Sequence, residues 1–130
     1  MASFTSGTHR LLTERVIGAA ITVHKALGPG LLEAAYEECL CYELKSNEIP
    51  FLRQVYVPLT YQGIEIHSLG YRLDLVIDNL IIVEVKAVDR MVGVHKAQML
   101  TYLRVTGLRV GLLMNFSWPV LTDGIVRVSL

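Results

Sequence analysis

Two short apolar runs constrain this chain more than any other feature: Tyr71-Arg72-Leu73-Asp74-Leu75-Val76-Ile77 and Ile81-Ile82-Val83-Glu84-Val85-Lys86-Ala87. Both carry the two-residue period of a β-strand, in which successive side chains point to opposite faces. The odd-numbered positions are apolar apart from the amphipathic Tyr71, which predicts one dry face running across both strands. The even-numbered positions hold Arg72, Asp74, Glu84 and Lys86 among Val76 and Ile82. Charged groups therefore stand in the middle of two of the most hydrophobic strands. Left unpaired and buried there they are strongly destabilising, so partners, solvent or a metal must compensate.

Register decides what these charges do. If Asp78-Asn79-Leu80 is a three-residue hairpin loop, Asp74 lies opposite Glu84, and Asn79 tolerates the left-handed angle such loops use. Two carboxylates would then face each other about 5 Å apart across the strands. That arrangement repels, and it raises a carboxyl pKa unless a cation sits between the groups. A two-residue loop would place them on opposite faces and destroy the arrangement. The residues alone leave a second reading open, in which Asp74 pairs with Arg72 or Lys86, and Glu84 with Lys86, on a solvated face.

Around this pair the chain reads as α/β. Apolar positions at Leu12, Val16, Ala19, Ala20, Val23 and Leu27 predict a helix over about 11–27, stopped by Gly28-Pro29-Gly30. A second helix is predicted over about 31–46, with Leu32, Ala35, Tyr36, Cys39, Leu40 and Leu44 inward and Glu37, Glu38, Glu43 and Lys45 outward. Val55–Tyr61 predicts a strand that Pro58 assigns to an edge or a bulge, followed by Ile64–Ile66 across a Gln62-Gly63 turn. A third helix over about 94–106 and strands at 110–116 and 124–128 complete the order. Only the third helix has the position of a crossover between strands of one sheet.

The 130 residues suffice for one domain, 1–130, and the 52% hydrophobic and 18% charged fractions exclude a disordered chain. Twelve basic against twelve acidic residues exclude a tail-driven nucleic-acid binder, though not a local basic groove. No apolar run approaches the roughly 20 residues that span a bilayer, so no membrane association is expected. The N-terminus shows no secretory signal pattern, and Cys39 and Cys41 lack disulfide or metal spacing; a cytoplasmic location is the expectation. The high apolar fraction accommodates a buried homo-oligomeric surface, as in a dimer.

Asp74 followed on the next strand by Glu84-Val85-Lys86 resembles the motif of the PD-(D/E)xK nucleases. Gly30-Leu31-Leu32-Glu33-Ala34-Ala35-Tyr36 resembles the signature of the GxxExxY family, a small branch of that superfamily. The likeness runs in order from Leu12-Thr13-Glu14 through His24, Gly28-Pro29-Gly30 and Gln98 to Asn115-Phe116 and Asp123-Gly124. Gly93 departs from it, standing where the family usually has proline before the third helix. The resemblance implies a restriction-endonuclease-like core: a mixed central β-sheet flanked by helices, with two N-terminal helices and one crossover helix. It also implies phosphodiester hydrolysis dependent on Mg²⁺ or Mn²⁺, acting on nucleic acid, DNA ahead of RNA, without strong sequence specificity and leaving a 5′-phosphate.

Carried over residue by residue, the likeness makes Asp74 and Glu84 metal ligands and the carbonyl of Val85 a third. A hard divalent ion takes such oxygen donors and acidifies a water it retains. Lys86, two residues past Glu84 and so on the same face, would position that water or stabilise charge on the phosphate. Glu33 matches the first acidic position and would complete the metal shell or orient a water; as a first-turn glutamate it equally suits the helix dipole. His24 stands where some RecB-like relatives place an additional manganese ligand, although a lone helical histidine is commonly structural. Gln98 and Tyr102, four residues apart with His95 a turn before, resemble the QxxxY helix that lines the site in RecB-type members. Their alternative is a core tyrosine and an interhelical amide hydrogen bond. The rival to an enzyme is a catalytically inactive nuclease-fold module that binds nucleic acid or a protein partner.

Overall fold

The computed structural model describes residues 6–130. Helix α1 spans Ser6–Leu27 and α2 spans Glu33–Ser46, followed by strands β1 (Phe51–Tyr61), β2 (Ile64–Ile77) and β3 (Ile81–Lys86). Helix α3 (Gly93–Thr106) leads to β4 (Val110–Asn115), a single 3₁₀ turn (Leu121–Gly124) and β5 (Ile125–Ser129). The sheet order is β1-β2-β3-β4-β5, and every neighbouring pair is antiparallel except β3 and β4. That parallel pair needs a crossover, and α3 supplies it.

The N-terminal helix begins earlier than its apolar period predicts. His9 is buried on the same stripe as Leu12 and Val16, so a polar residue extends the face and hides the period. The second helix begins later, at Glu33, because the Tyr36 hydroxyl takes the Leu31 N–H (3.0 Å) and Leu32 is extended. The same hydroxyl donates to the carbonyl of Gly28 (2.6 Å), clamping a turn in which Gly28 and Gly30 adopt φ of 68° and 107°. The Tyr36 ring stacks on Phe116 with centroids 4.6 Å apart.

Strand β1 starts at Phe51 rather than Val55, and the two runs 64–66 and 71–77 are one continuous strand. A bulge joins them: the register passes from Pro58↔Gly70 to Leu59↔Ile66, so three extra residues of β2 are accommodated there. The Tyr56 hydroxyl ties the excess down by donating to the carbonyls of His67 and Leu69. A side chain at position 70 would meet the Val57 carbonyl at 2.5 Å, which is why glycine stands there. The last strand runs one residue later than expected because the 3₁₀ turn holds 121–124.

The β2–β3 hairpin has the expected three-residue loop, with Leu75↔Val83, Val76↔Ile82 and Ile77↔Ile81 in register. Both Asp78 (φ 50°) and Asn79 (φ 55°) are left-handed, and the Leu80 N–H donates to Ile77 (2.9 Å).

The sheet buries both faces. Leu75, Ile77, Ile81, Val83 and Val85 pack with Tyr36, Leu40, Leu44 and Phe116 beneath α1 and α2. Val76, Ile82, Leu113 and Val128 pack with Met99 and Leu103 beneath α3. Gly111 lets α3 approach, since a Cβ there would fall 2.3 Å from the Met99 sulfur. The expectation of one dry face of odd-numbered residues fails at Leu73, which joins the α3-side core. Alternation slips at Asp74, where β2 leaves its ladder with both neighbours. A five-stranded mixed sheet with helices on both faces is a restriction-endonuclease-like architecture.

Candidate active site

Between Arg53↔Leu75 and Val55↔Leu73, the pair Gln54–Asp74 is missing from the β1–β2 ladder, and the β2–β3 ladder stops at Leu75↔Val83. Side chains replace the lost bonds. The Asp74 N–H donates to Oε2 of Glu84 (2.8 Å), and the Val85 N–H donates to Oδ2 of Asp74 (2.9 Å). Each carboxylate thus stitches its strand to the other, with its second oxygen unused by any backbone N–H among the described residues.

Glu84 is 5% exposed. Burial, reinforced by the charge of Asp74, pushes its pKa up to about 8, while the Asp74 N–H and Lys86 oppose the rise. Asp74 is also raised, chiefly by burial and then by Glu37, against the opposing Val85 N–H, Lys86 and Gln54. A buried and a half-buried carboxyl that resist ionisation together have the chemistry of a cation site. Oxygen donors in an acidic, partly desolvated position fit a hard divalent ion such as Mg²⁺ or Mn²⁺.

The ion-pair alternative does not form. Among the described residues neither Asp74 nor Glu84 has a basic group within 4.0 Å. Lys86 is half-buried and acts on both carboxyls through its field. Tyr102 is half-buried over the pair: burial first, then Glu84 and Asp74, raise its pKa, and its ring meets Tyr71 edge-on at 5.9 Å. Gln98, a turn earlier on α3, is exposed and its side-chain amide makes no hydrogen bond among the described residues, so it is not a core amide. His95 accepts the Val92 N–H at Nδ1 (3.2 Å) and caps the helix.

The other expected residues sit apart. Glu33 is exposed and accepts the Ala87 N–H (3.1 Å), tying α2 to the end of β3 just past Lys86. Buried His24 uses Nε2 against the carbonyl of Trp118 (2.8 Å) and lies 6.2 Å from the Phe116 ring. Among the described residues no three His, Cys, Asp or Glu side chains gather as a metal cluster. Asn115, buried at the end of β4, bonds both backbone groups of Val88 and holds the segment after Lys86.

Helical periodicity missed Glu37. Expected on the solvent side of α2, it is 7% exposed and faces β1. Its carboxylate takes the Arg53 Nε–H (2.7 Å) and the Gln54 amide (2.9 and 3.1 Å), bonds that offset its burial. Its four-residue spacing from Glu33 was the available signal, but the partners lie on another element.

No curated protein and no solved structure matches the chain. A family-level match covers residues 10–128, enclosing every site residue named above. With the carboxylate pair, the lysine two residues on and the mixed sheet that presents them, this match shows that the chain belongs to the PD-(D/E)XK nuclease superfamily.

Proposed function

We propose that this protein is a divalent-metal-dependent nuclease of the GxxExxY branch that hydrolyses phosphodiester bonds in DNA without strong sequence preference. The interlocked Asp74–Glu84 pair carries this reading. A chain released from catalysis gains nothing from keeping two repelling carboxyls beside Lys86 inside a hydrophobic sheet. The branch assignment is supported by Gly30, Glu33 and Tyr36, which together form and anchor the α1–α2 turn.

Asp74 and Glu84 would hold Mg²⁺ or Mn²⁺, with the Val85 carbonyl as a further donor. A bound ion supplies Lewis acidity and neutralises phosphate charge. The chain's own groups do the rest. The Lys86 ammonium steadies negative charge as it grows on the phosphate. The Tyr102 hydroxyl donates to a phosphate oxygen, and the exposed Gln98 amide binds phosphate or holds the attacking water. Residues 71–130 carry seven Lys or Arg against five Asp or Glu, a net +2. Arg72, Arg90, Lys96 and Arg104 are all exposed and would steer the backbone.

The formal charge of zero favours the rival, a catalytically inactive module. One assay separates the two. Supercoiled, linear and single-stranded DNA are incubated with Mg²⁺, Mn²⁺ or EDTA, beside Asp74→Ala purified identically. Cleavage that needs metal and disappears in the variant supports the nuclease. Equal cleavage by both proteins, or none by either, overturns it.

A further inference from the structure

Gln54, Asp74 and Glu84 lie in one line across β1, β2 and β3, and the ladder is broken between each neighbouring pair, while Glu84 keeps its pairing with Leu113 on β4. Gln54 adopts a left-handed conformation, φ 54°. The other non-glycine residues with positive φ among those described, Glu48, Gln62, Asp78 and Asn79, occupy turns between elements. Gln54 alone stands inside a strand. A strained residue of this kind persists only where its surroundings over-determine it, and such residues cluster at functional sites.

What holds it is Glu37. Both oxygens of this buried carboxylate accept the Gln54 Nε2 amide (3.1 and 2.9 Å), and Oε2 also accepts the Arg53 Nε–H (2.7 Å). A helix therefore grips a strand residue directly opposite Asp74. The left-handed turn at Gln54 removes Asp74 from its ladder partner on one side, while Glu84 takes the Asp74 N–H on the other. Asp74 is left to reach across to Val85 with its side chain.

We propose that Gln54, anchored by Glu37, is a positioning residue that sets the Asp74 carboxylate in its cation-binding orientation. The inference rests on the reading of Asp74 and Glu84 as a cation site and adds a supporting layer to it. Groups that orient a ligand without touching the metal commonly change affinity when removed. A bland account also exists: the left-handed residue merely twists β1, and its side chain is incidental.

Gln54→Gly distinguishes them, because glycine adopts positive φ freely while losing the amide. Mn²⁺ binding is followed by electron paramagnetic resonance and folding by thermal melting, on the full chain without nucleic acid. The expected result is a cooperative melt lowered by a few degrees at most, the relieved backbone strain partly offsetting the lost bonds to Glu37, with Mn²⁺ affinity weakened about tenfold. Gln54→Asn, whose side chain also tolerates left-handed φ but is one methylene too short to span the same gap, should weaken binding similarly. Wild-type binding matched within about twofold by both variants, on the same scale, overturns the positioning role and leaves the cation site standing. Absence of Mn²⁺ binding in the wild type overturns the cation site, and the positioning role falls with it.

Discussion

Asp74 and Glu84 hold each other's strands. The Asp74 N–H donates to Glu84 at 2.8 Å, and the residue after Glu84 returns the bond to Asp74 at 2.9 Å. Where a sheet would place two ladder bonds, it places two carboxylates. These bonds orient the acids but do not offset the burial of Glu84 and the facing charge of Asp74, which is why Glu84 stays far above the ordinary carboxyl range. The arrangement is stable when one of the pair is protonated or when a cation joins them.

Mn²⁺ should bind the wild-type protein and fail to bind Asp74→Ala or Glu84→Ala. Isothermal titration calorimetry at pH 8.5 is the measurement, since protons then compete little. Equal heats from the three proteins would sink the assignment.

Glu84 makes metal-free stability depend on pH. Its pKa rises from 4.5 to about 8 on folding, so the folded state binds more protons between those values. Stability from this group must then fall as pH rises through about 4.5 to about 8 and stay low above. Glu84→Gln keeps an acceptor for the Asp74 N–H and removes the charge. It should gain on wild type by a few degrees of melting temperature as pH goes from about 5 to about 8.5. A difference that stays constant with pH would show that Glu84 ionises normally.

Lys86→Ala should keep Mn²⁺ affinity within a few-fold yet lose about 10²-fold or more in cleavage rate, the scale of losing one charge-stabilising donor. Lys86 has no ion-pair partner among the described residues, so its removal breaks no ion pair. A variant that cleaves at the wild-type rate would leave Lys86 as a bystander.

Gln98→Ala should lower turnover on the order of a hundredfold, as for one positioned hydrogen bond in a transition state. Its melting temperature should not move, because Gln98 is exposed and leaves no buried partner behind. A lowered melting point with unchanged turnover would return this amide to a structural role.

Tyr36→Phe tests the turn that sets α2 against the sheet. The ring still stacks on Phe116, but the bonds to Gly28 and Leu31 are lost. A stability loss of about 1 kcal/mol in urea unfolding is expected, because the half-exposed Gly28 carbonyl and Leu31 N–H lose their shared partner but keep access to water. No change would mean that the glycines alone shape the turn.

The two-residue period of 71–87 by itself placed the two strands of the central hairpin and set Asp74 opposite Glu84 for a three-residue loop, since a one-residue slip would put them on opposite faces; the structure decided that register. The Asp74…Glu84-Val85-Lys86 spacing likewise made the candidate centre legible, and the helical periods placed α1, α2 and α3 within a few residues. Only the tertiary structure decided the role of Glu37, whose burial depends on Arg53 and Gln54 arriving from another element. It also decided that Leu73 changes cores, that Glu33 ties down Ala87, and that His24 serves Trp118. Periodicity reports which side of its own element a residue occupies. It cannot report where a strand leaves its ladder or which distant backbone group a polar side chain will meet, since both depend on neighbours brought together by the fold.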